Sequence, residues 1–150
     1  MATPKVVPAG GGRELNIVGD NIWVKLTGEE AGGVYCLVEE ASPPQGGPPL
    51  HLHHREDESF YVLEGNYNFQ IGDRQINVAP GAFLFGPRGV PHTFKNVGTN
   101  TGRVLVIIAP PGLEKFFEEA DQLGKPGPPP VEKLIELARK YELEFLPPET

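Results

Sequence analysis

The chain has four histidines, and they fall in two short stretches: His51, His53 and His54 in one, His92 in the other. The first stretch reads His51-x-His53, four residues, Glu58, six residues, Gly65. The second reads Gly81, five residues, Pro87-x-Gly89, two residues, His92, three residues, Asn96. Three imidazoles and one carboxylate are a sufficient ligand set for a divalent transition metal. Four protein ligands leave one or two positions open on an ion that prefers five or six, and an open position separates a reactive site from a sealed one. With three neutral rings and one carboxylate the ion keeps a residual positive charge, which favours an anionic oxygen such as an enolate, a phenolate or hydroxide.

These ligands need strands to present them. Side chains alternate along a strand, so His51 and His53 share a face, with Cα atoms about 6.6 Å apart. His54 falls on the opposite face. Glu58 follows a short polar turn and leads directly into the apolar run Ser59 to Leu63, which favours it over its competitors Glu56 and Asp57. His92 follows the turn Pro87 to Pro91 and can supply a ligand from another strand. Phe60, Phe83, Phe85 and Phe94 are the aromatics near these positions, and the chain offers them for an apolar pocket or an ordinary core. Phe94 lies two residues from His92 and shares its inward face, so Phe60 and Phe94 are the expected pocket walls.

Strand character recurs at Glu14 to Val18, Asn21 to Thr27, Gly33 to Glu39, Leu50 to His54, Ser59 to Leu63, Tyr67 to Ile71, Gln75 to Val78, Ala82 to Phe85, His92 to Val97 and Arg103 to Ala109. Residues 41 to 49, rich in Gly and Pro, read as a loop outside any sheet. Ten short strands predict a closed or sandwiched all-β architecture. The tail changes period: Leu113, Phe116, Phe117, Ala120 and Leu123, then Val131, Leu134, Ile135, Ala138 and Tyr141, follow helical spacing. The expected organisation is an arm at 1–13, a β-domain at 14–109 and a helical tail at 110–150, its two helices packed outside as lids or supports. Ser59 to Leu63 is apolar on both faces, so its outer face needs a cover, from the helices or from a second subunit; a homodimer is expected. The stripe Asn66, Asn68, Gln70 fits sugar hydroxyls if it faces inward and solvent if it does not.

Composition narrows the partners. A chain of 150 residues with 39% hydrophobic and 22% charged residues is long enough to bury a core. The net charge of -7 argues against nucleic acid and anionic membranes. A single cysteine, Cys36, excludes an internal disulfide and reads as a small buried hydrophobe. The first twelve residues lack the apolar stretch of a secretory signal, and Val104 to Ala109 is too short to span a bilayer, so the cytoplasm is the expected compartment.

The two stretches resemble the two signature motifs of the cupin superfamily. Gly81, Pro87, Gly89, His92 and Asn96 match the second motif; His51, His53, Glu58 and Gly65 match the heart of the first. The glycine that usually opens the first motif, six residues before its first histidine, is Gln45 here, followed by Gly46 and Gly47. The resemblance implies a jelly-roll β-barrel over roughly residues 14 to 109, with His51, His53, Glu58 and His92 binding one divalent ion (Fe, Mn, Ni, Co, Cu or Zn). The run from Pro49 to Gly65 is similar to the quercetin dioxygenase-like branch. The expected activity is that of a metal-dependent dioxygenase on a small enol or phenol, with Glu58 as ligand and general base. The alternatives are a non-redox isomerase or epimerase, and a small-molecule-binding protein without catalysis. Arg55, Arg88 and Lys95 fall in turns or opposite His92, which counts against a phosphorylated sugar.

Overall fold

Eleven strands and two helices account for residues 2–147, the part of the chain that the computed structural model describes. Met1 of the expected arm and residues 148–150 of the expected tail lie outside the described residues. The strands are β1 (Arg13–Ile17), β2 (Asp20–Leu26), β3 (Cys36–Ser42), β4 (His51–His53), β5 (Asp57–Glu64), β6 (Tyr67–Ile71), β7 (Arg74–Val78), β8 (Phe83–Gly86), β9 (His92–Asn96), β10 (Gly102–Ala109) and β11 (Leu143–Phe145). Helices α1 (Leu113–Leu123) and α2 (Val131–Lys140) stand between β10 and β11. The strands form a six-stranded sheet, β1-β2-β3-β10-β5-β8, facing a five-stranded sheet, β11-β4-β9-β6-β7. This is a jelly-roll sandwich, two sheets rather than one closed hydrogen-bonded ring.

Alternation sets what each strand sends inward. Ile22 and Val24 of β2, Cys36 and Val38 of β3, Phe60 and Val62 of β5, and Val104, Val106 and Ile108 of β10 are buried from the large sheet. Tyr67, Phe69 and Phe94 answer them from the small one. Their rings, with Phe60, pack mostly edge-on at centroid distances of 5.1–6.1 Å, a geometry that adds to the apolar burial. Cys36 is buried as expected, and burial, reinforced by Glu114, pushes its thiol up to about 12.

Three sequence expectations change. The third strand begins at Cys36 rather than Gly33 and runs on to Ser42, because residues 27–33 are folded into turns by Ala31 N–H to the Thr27 carbonyl and Gly33 N–H to the Gly28 carbonyl. Ala41 and Ser42 therefore lie in the sheet, paired with Arg103 and Gly102, and the loop starts only at Pro43. The tail contributes a strand as well as helices: Leu143–Phe145 pairs antiparallel with His53–His51. The helices pack on the outside of the sandwich as expected and send side chains into its core. Leu113 and Phe116 of α1 are buried, and Leu134 of α2 packs against the same core. Glu114 fixes the start of α1 by accepting from Gly112 N–H and Gly28 N–H, both at 2.6 Å.

The polar stripe lies on the face of β6 away from the core, with Asn66 exposed and Gln70 covered. Asn68 bonds Asn77 across β6 and β7, while Tyr67 and Phe69 take the interior. None of the helices is long and apolar enough to cross a membrane.

Candidate metal centre

The four expected ligands come from three strands. His51 and His53 lie on β4, Glu58 on β5 of the opposing sheet and His92 on β9. Strands β4 and β9 pair at a single position, His51 opposite His92, which brings those rings to a centroid distance of 4.4 Å. One ligand atom from each of the four residues lies within 4.8 Å of the others, and all four side chains are buried. His54 points away, half-exposed, toward Glu144.

The arrangement is built to present lone pairs to one point. His51 Nδ1 faces the Pro49 carbonyl at 2.7 Å and His92 Nδ1 faces the Val90 carbonyl at 3.1 Å. Each carbonyl accepts a hydrogen bond from Nδ1–H and leaves Nε2 turned to the cluster, the orientation that ligating imidazoles need. Nε2 of His53 and Nε2 of His92 both lie 2.8 Å from the same oxygen, Oε1 of Glu58. Burial, reinforced by His92 and His53, pushes the His51 ring down to about 3, so it stays neutral. Burial alone would lower His53 as well, but Glu58 and Glu56 push it up to about 10. Burial works against ionisation of Glu58, yet His53 and His92 hold its carboxyl well below the usual range. Without a cation, protons on the rings must balance the carboxylate; a divalent ion serves the same end with a donor set of three nitrogens and one oxygen. The residues fit the group.

A fifth residue belongs to the site. Glu56, a competitor of Glu58 from sequence, is fully buried, and its Oε1 lies 3.4 Å from His53 Nδ1. Neither of those atoms has a hydrogen bond of normal geometry, so the ring and the carboxylate face each other with no other partner for these atoms. A carboxylate behind a ligating imidazole fixes its tautomer and raises its basicity. The i, i+3 spacing from His53 was the available signal. Glu56→Gln is expected to weaken metal binding by about 10–100-fold with the fold intact, measured by competition against a chelator. The third acidic neighbour, Asp57, is spent on Arg88, accepting from its backbone N–H and its guanidinium.

His51, His53 and Glu58 of the cluster line a cavity of about 410 Å³, within the range that suits a small organic ligand. Phe60 and Phe94 line it, and each is at once part of the aromatic core. Phe83 and Phe85 are not: they are 63% and 49% exposed on the outer face. On β8 it is Leu84 and Gly86 that point inward, and Gly86 leaves the room that the Phe60 and His92 rings take up. Helix α1 supplies Leu113, Phe116 and Phe117 and α2 supplies Leu134 and Ile135 to the same cavity, so the tail closes its mouth. Arg55 and Arg88 are committed to the Pro111 carbonyl and Asp57, and no Lys or Arg lines this cavity.

Residues 38–108 match the family model described as "Cupin domain". The chain is 30% identical over 118 residues to a quercetin 2,3-dioxygenase of Bacillus subtilis, covering 77% of this chain and 34% of that protein, and so spans about a third of that relative's length. Among solved structures, the polyketide cyclase RemF of Streptomyces resistomycificus is 26% identical, with a TM-score of 0.61, over 71% of this chain and 79% of that one. KdgF from Halomonas shares the fold at 15% identity and a TM-score of 0.66, over 75% of this chain and 99% of that one.

Proposed function

With a cupin domain over residues 38–108 as the starting point, we propose that this chain binds one divalent transition-metal ion through His51, His53, Glu58 and His92 and acts as a dioxygenase on a small enol or phenol. The observation that carries this reading is a buried three-histidine, one-carboxylate cluster whose His51, His53 and Glu58 line a largely apolar cavity that, among the described residues, no lysine or arginine lines. The likeness to a quercetin dioxygenase supports it. When bound, a redox-active ion would hold the deprotonated oxygen of such a substrate and supply the oxygen chemistry.

The chain's own residues do the rest. Glu58 is the one carboxylate among the donors and borders the cavity, so it is the group that takes the proton from the substrate hydroxyl. Phe60 and Phe94 hold a flat apolar body beside it. Leu113, Phe116 and Leu134 exclude water from above. Oxygen uptake on a panel of flavonols and 1,3-diketones, after reconstitution with each of Fe, Mn, Co, Ni and Cu, tests the activity; uptake with at least one pair is expected. Likeness to a polyketide cyclase favours a second reading, a non-redox enzyme in which the ion polarises a carbonyl. Conversion of substrate without oxygen uptake would select it.

The same proposal extends to assembly as a homodimer. The helices do not cover the outer face of β5: Tyr61 and Leu63 are 45% and 40% exposed, and Tyr61 lies between Phe83 on β8 and Leu105 on β10. With Phe85 and Ile107 they make a continuous apolar patch beside the free edge of β8, the kind of surface that a second copy covers. Light scattering is expected to give twice the chain mass, and Phe83→Glu with Tyr61→Lys is expected to give the monomer.

A further inference from the structure

The cavity has a second polar wall that metal binding does not use. Asp20 opens β2 pointing inward, and Glu40 points inward from β3; both line the cavity. Between them and the histidines the wall is apolar, with Ile22, Val38 and Val106 beside the phenylalanines. Glu40 hydrogen-bonds to Asp20, and Ser42 Oγ donates to Asp20 Oδ2 at 3.3 Å. Among the described residues neither carboxyl has an ion-pair partner.

One polar atom there is left over: Glu40 Oε2 is buried without a hydrogen-bond partner. An unpaired buried polar atom is costly, and one on a cavity wall points to a ligand group that satisfies it. Burial raises both carboxyls above their ordinary range, and the charge of Asp20 raises Glu40 further. Such a pair keeps a proton between its members, so it offers a donor and an acceptor together. A neutral hydroxyl complements both; a phosphate or carboxylate complements neither.

We propose that Asp20 and Glu40 form a distal recognition subsite that binds a hydroxyl group of a substrate whose enol or phenol oxygen lies at the His51, His53, Glu58 and His92 cluster. The subsite rests on the enol or phenol reading of the metal centre. It makes the chain selective for molecules with a polar group at each end and an apolar body between, over analogues lacking the far hydroxyl.

The test is binding of 3-hydroxyflavone and 3,4′-dihydroxyflavone to the zinc-loaded protein, where binding proceeds without oxidation. The two probes differ by one hydroxyl remote from the enol. The wild type is expected to prefer the dihydroxy probe by about tenfold, the worth of one such hydrogen bond. Glu40→Leu and Asp20→Leu are expected to bring the ratio to about one, and Glu40→Gln, which keeps a donor and an acceptor, to retain most of it. General loosening of the fold weakens both probes alike and leaves the ratio where it was. Equal affinities in the wild type, with both probes still dependent on zinc, would overturn the subsite and leave the metal-centre reading standing. A preference that survives both leucine variants would overturn it too. Failure of both probes to bind the zinc-loaded wild type would overturn the enol reading and the subsite with it.

Discussion

Replacing His92 with alanine is expected to strip the chain of stoichiometric metal while the sandwich still folds. His92 is the one ligand from β9, and its Nε2 is one of two that meet Glu58 Oε1 at 2.8 Å. Without it, two donors on β4 and one on β5 remain, one nitrogen fewer to hold an ion against a chelator. Loss of a carboxylate behind a ligand already costs about 10–100-fold in affinity, so loss of the ligand itself is expected to cost more. The same holds for His51→Ala, which removes the ring opposite His92 in the only paired position between β4 and β9. Elemental analysis after chelator dialysis reads the metal, and far-ultraviolet circular dichroism reads the fold. The fold is expected to survive because the aromatic and aliphatic core around Phe69, Val62 and Val104 does not depend on either ring. Full metal occupancy in both variants would refute the ligand assignment.

Gly47→Ala is expected to have the largest effect on stability of any single methyl added to the chain. Gly47 has φ +147, and a Cβ there would sit 1.9 Å from the Phe94 carbonyl oxygen, a backbone atom that cannot turn aside. The loop is pinned on both sides, by Gln45 N–H to the Asn96 carbonyl and Asn96 N–H to the Gly46 carbonyl. Relief therefore requires separating the loop from β9, which is also what places His51 opposite His92. A loss of about 3 kcal/mol or more is expected, in the range of backbone clashes at positions that demand glycine. Urea denaturation measures it, and metal affinity should fall with it because the rings part. A variant as stable as the wild type would show that the loop does not hold the two strands in register.

The chemistry was legible because it depends on identity and spacing. His51 and His53 share a face by alternation alone, and Glu58 and His92 were marked by the strands they open. The motif glycines follow the same logic. Gly65 has φ +90, and a Cβ there would come within 2.9 Å of Gly102 Cα. At the motif's opening position, Gln45 takes a left-handed conformation itself (φ 68), and the crowding that demands glycine falls on Gly47 instead. Asn96 is a structural tie: its buried amide donates to the Ser42 and Asn100 carbonyls and accepts from Gly98 N–H.

What could not be read depends on tertiary choice. Phe83-Leu84-Phe85 is apolar at every position, so alternation alone does not say which residue faces inward; the register of β8 on β5, with Leu84 opposite the buried Phe60, decides it. Strand β11 is three residues long, too short to show a period, and exists because β4 offers it an edge. Asp20 and Glu40 look like surface residues of half-exposed strands until the second sheet and the helices close over them.

The most direct measurement is X-ray absorption on the metal-reconstituted wild type combined with its metal content. One ion per chain is expected in the wild type, with light-atom ligands only and a contribution from three imidazoles, and the ion is expected to be lost in His92→Ala. Failure to retain any of Mn, Fe, Co, Ni, Cu or Zn near one equivalent, or a spectrum without imidazole, would contradict the account.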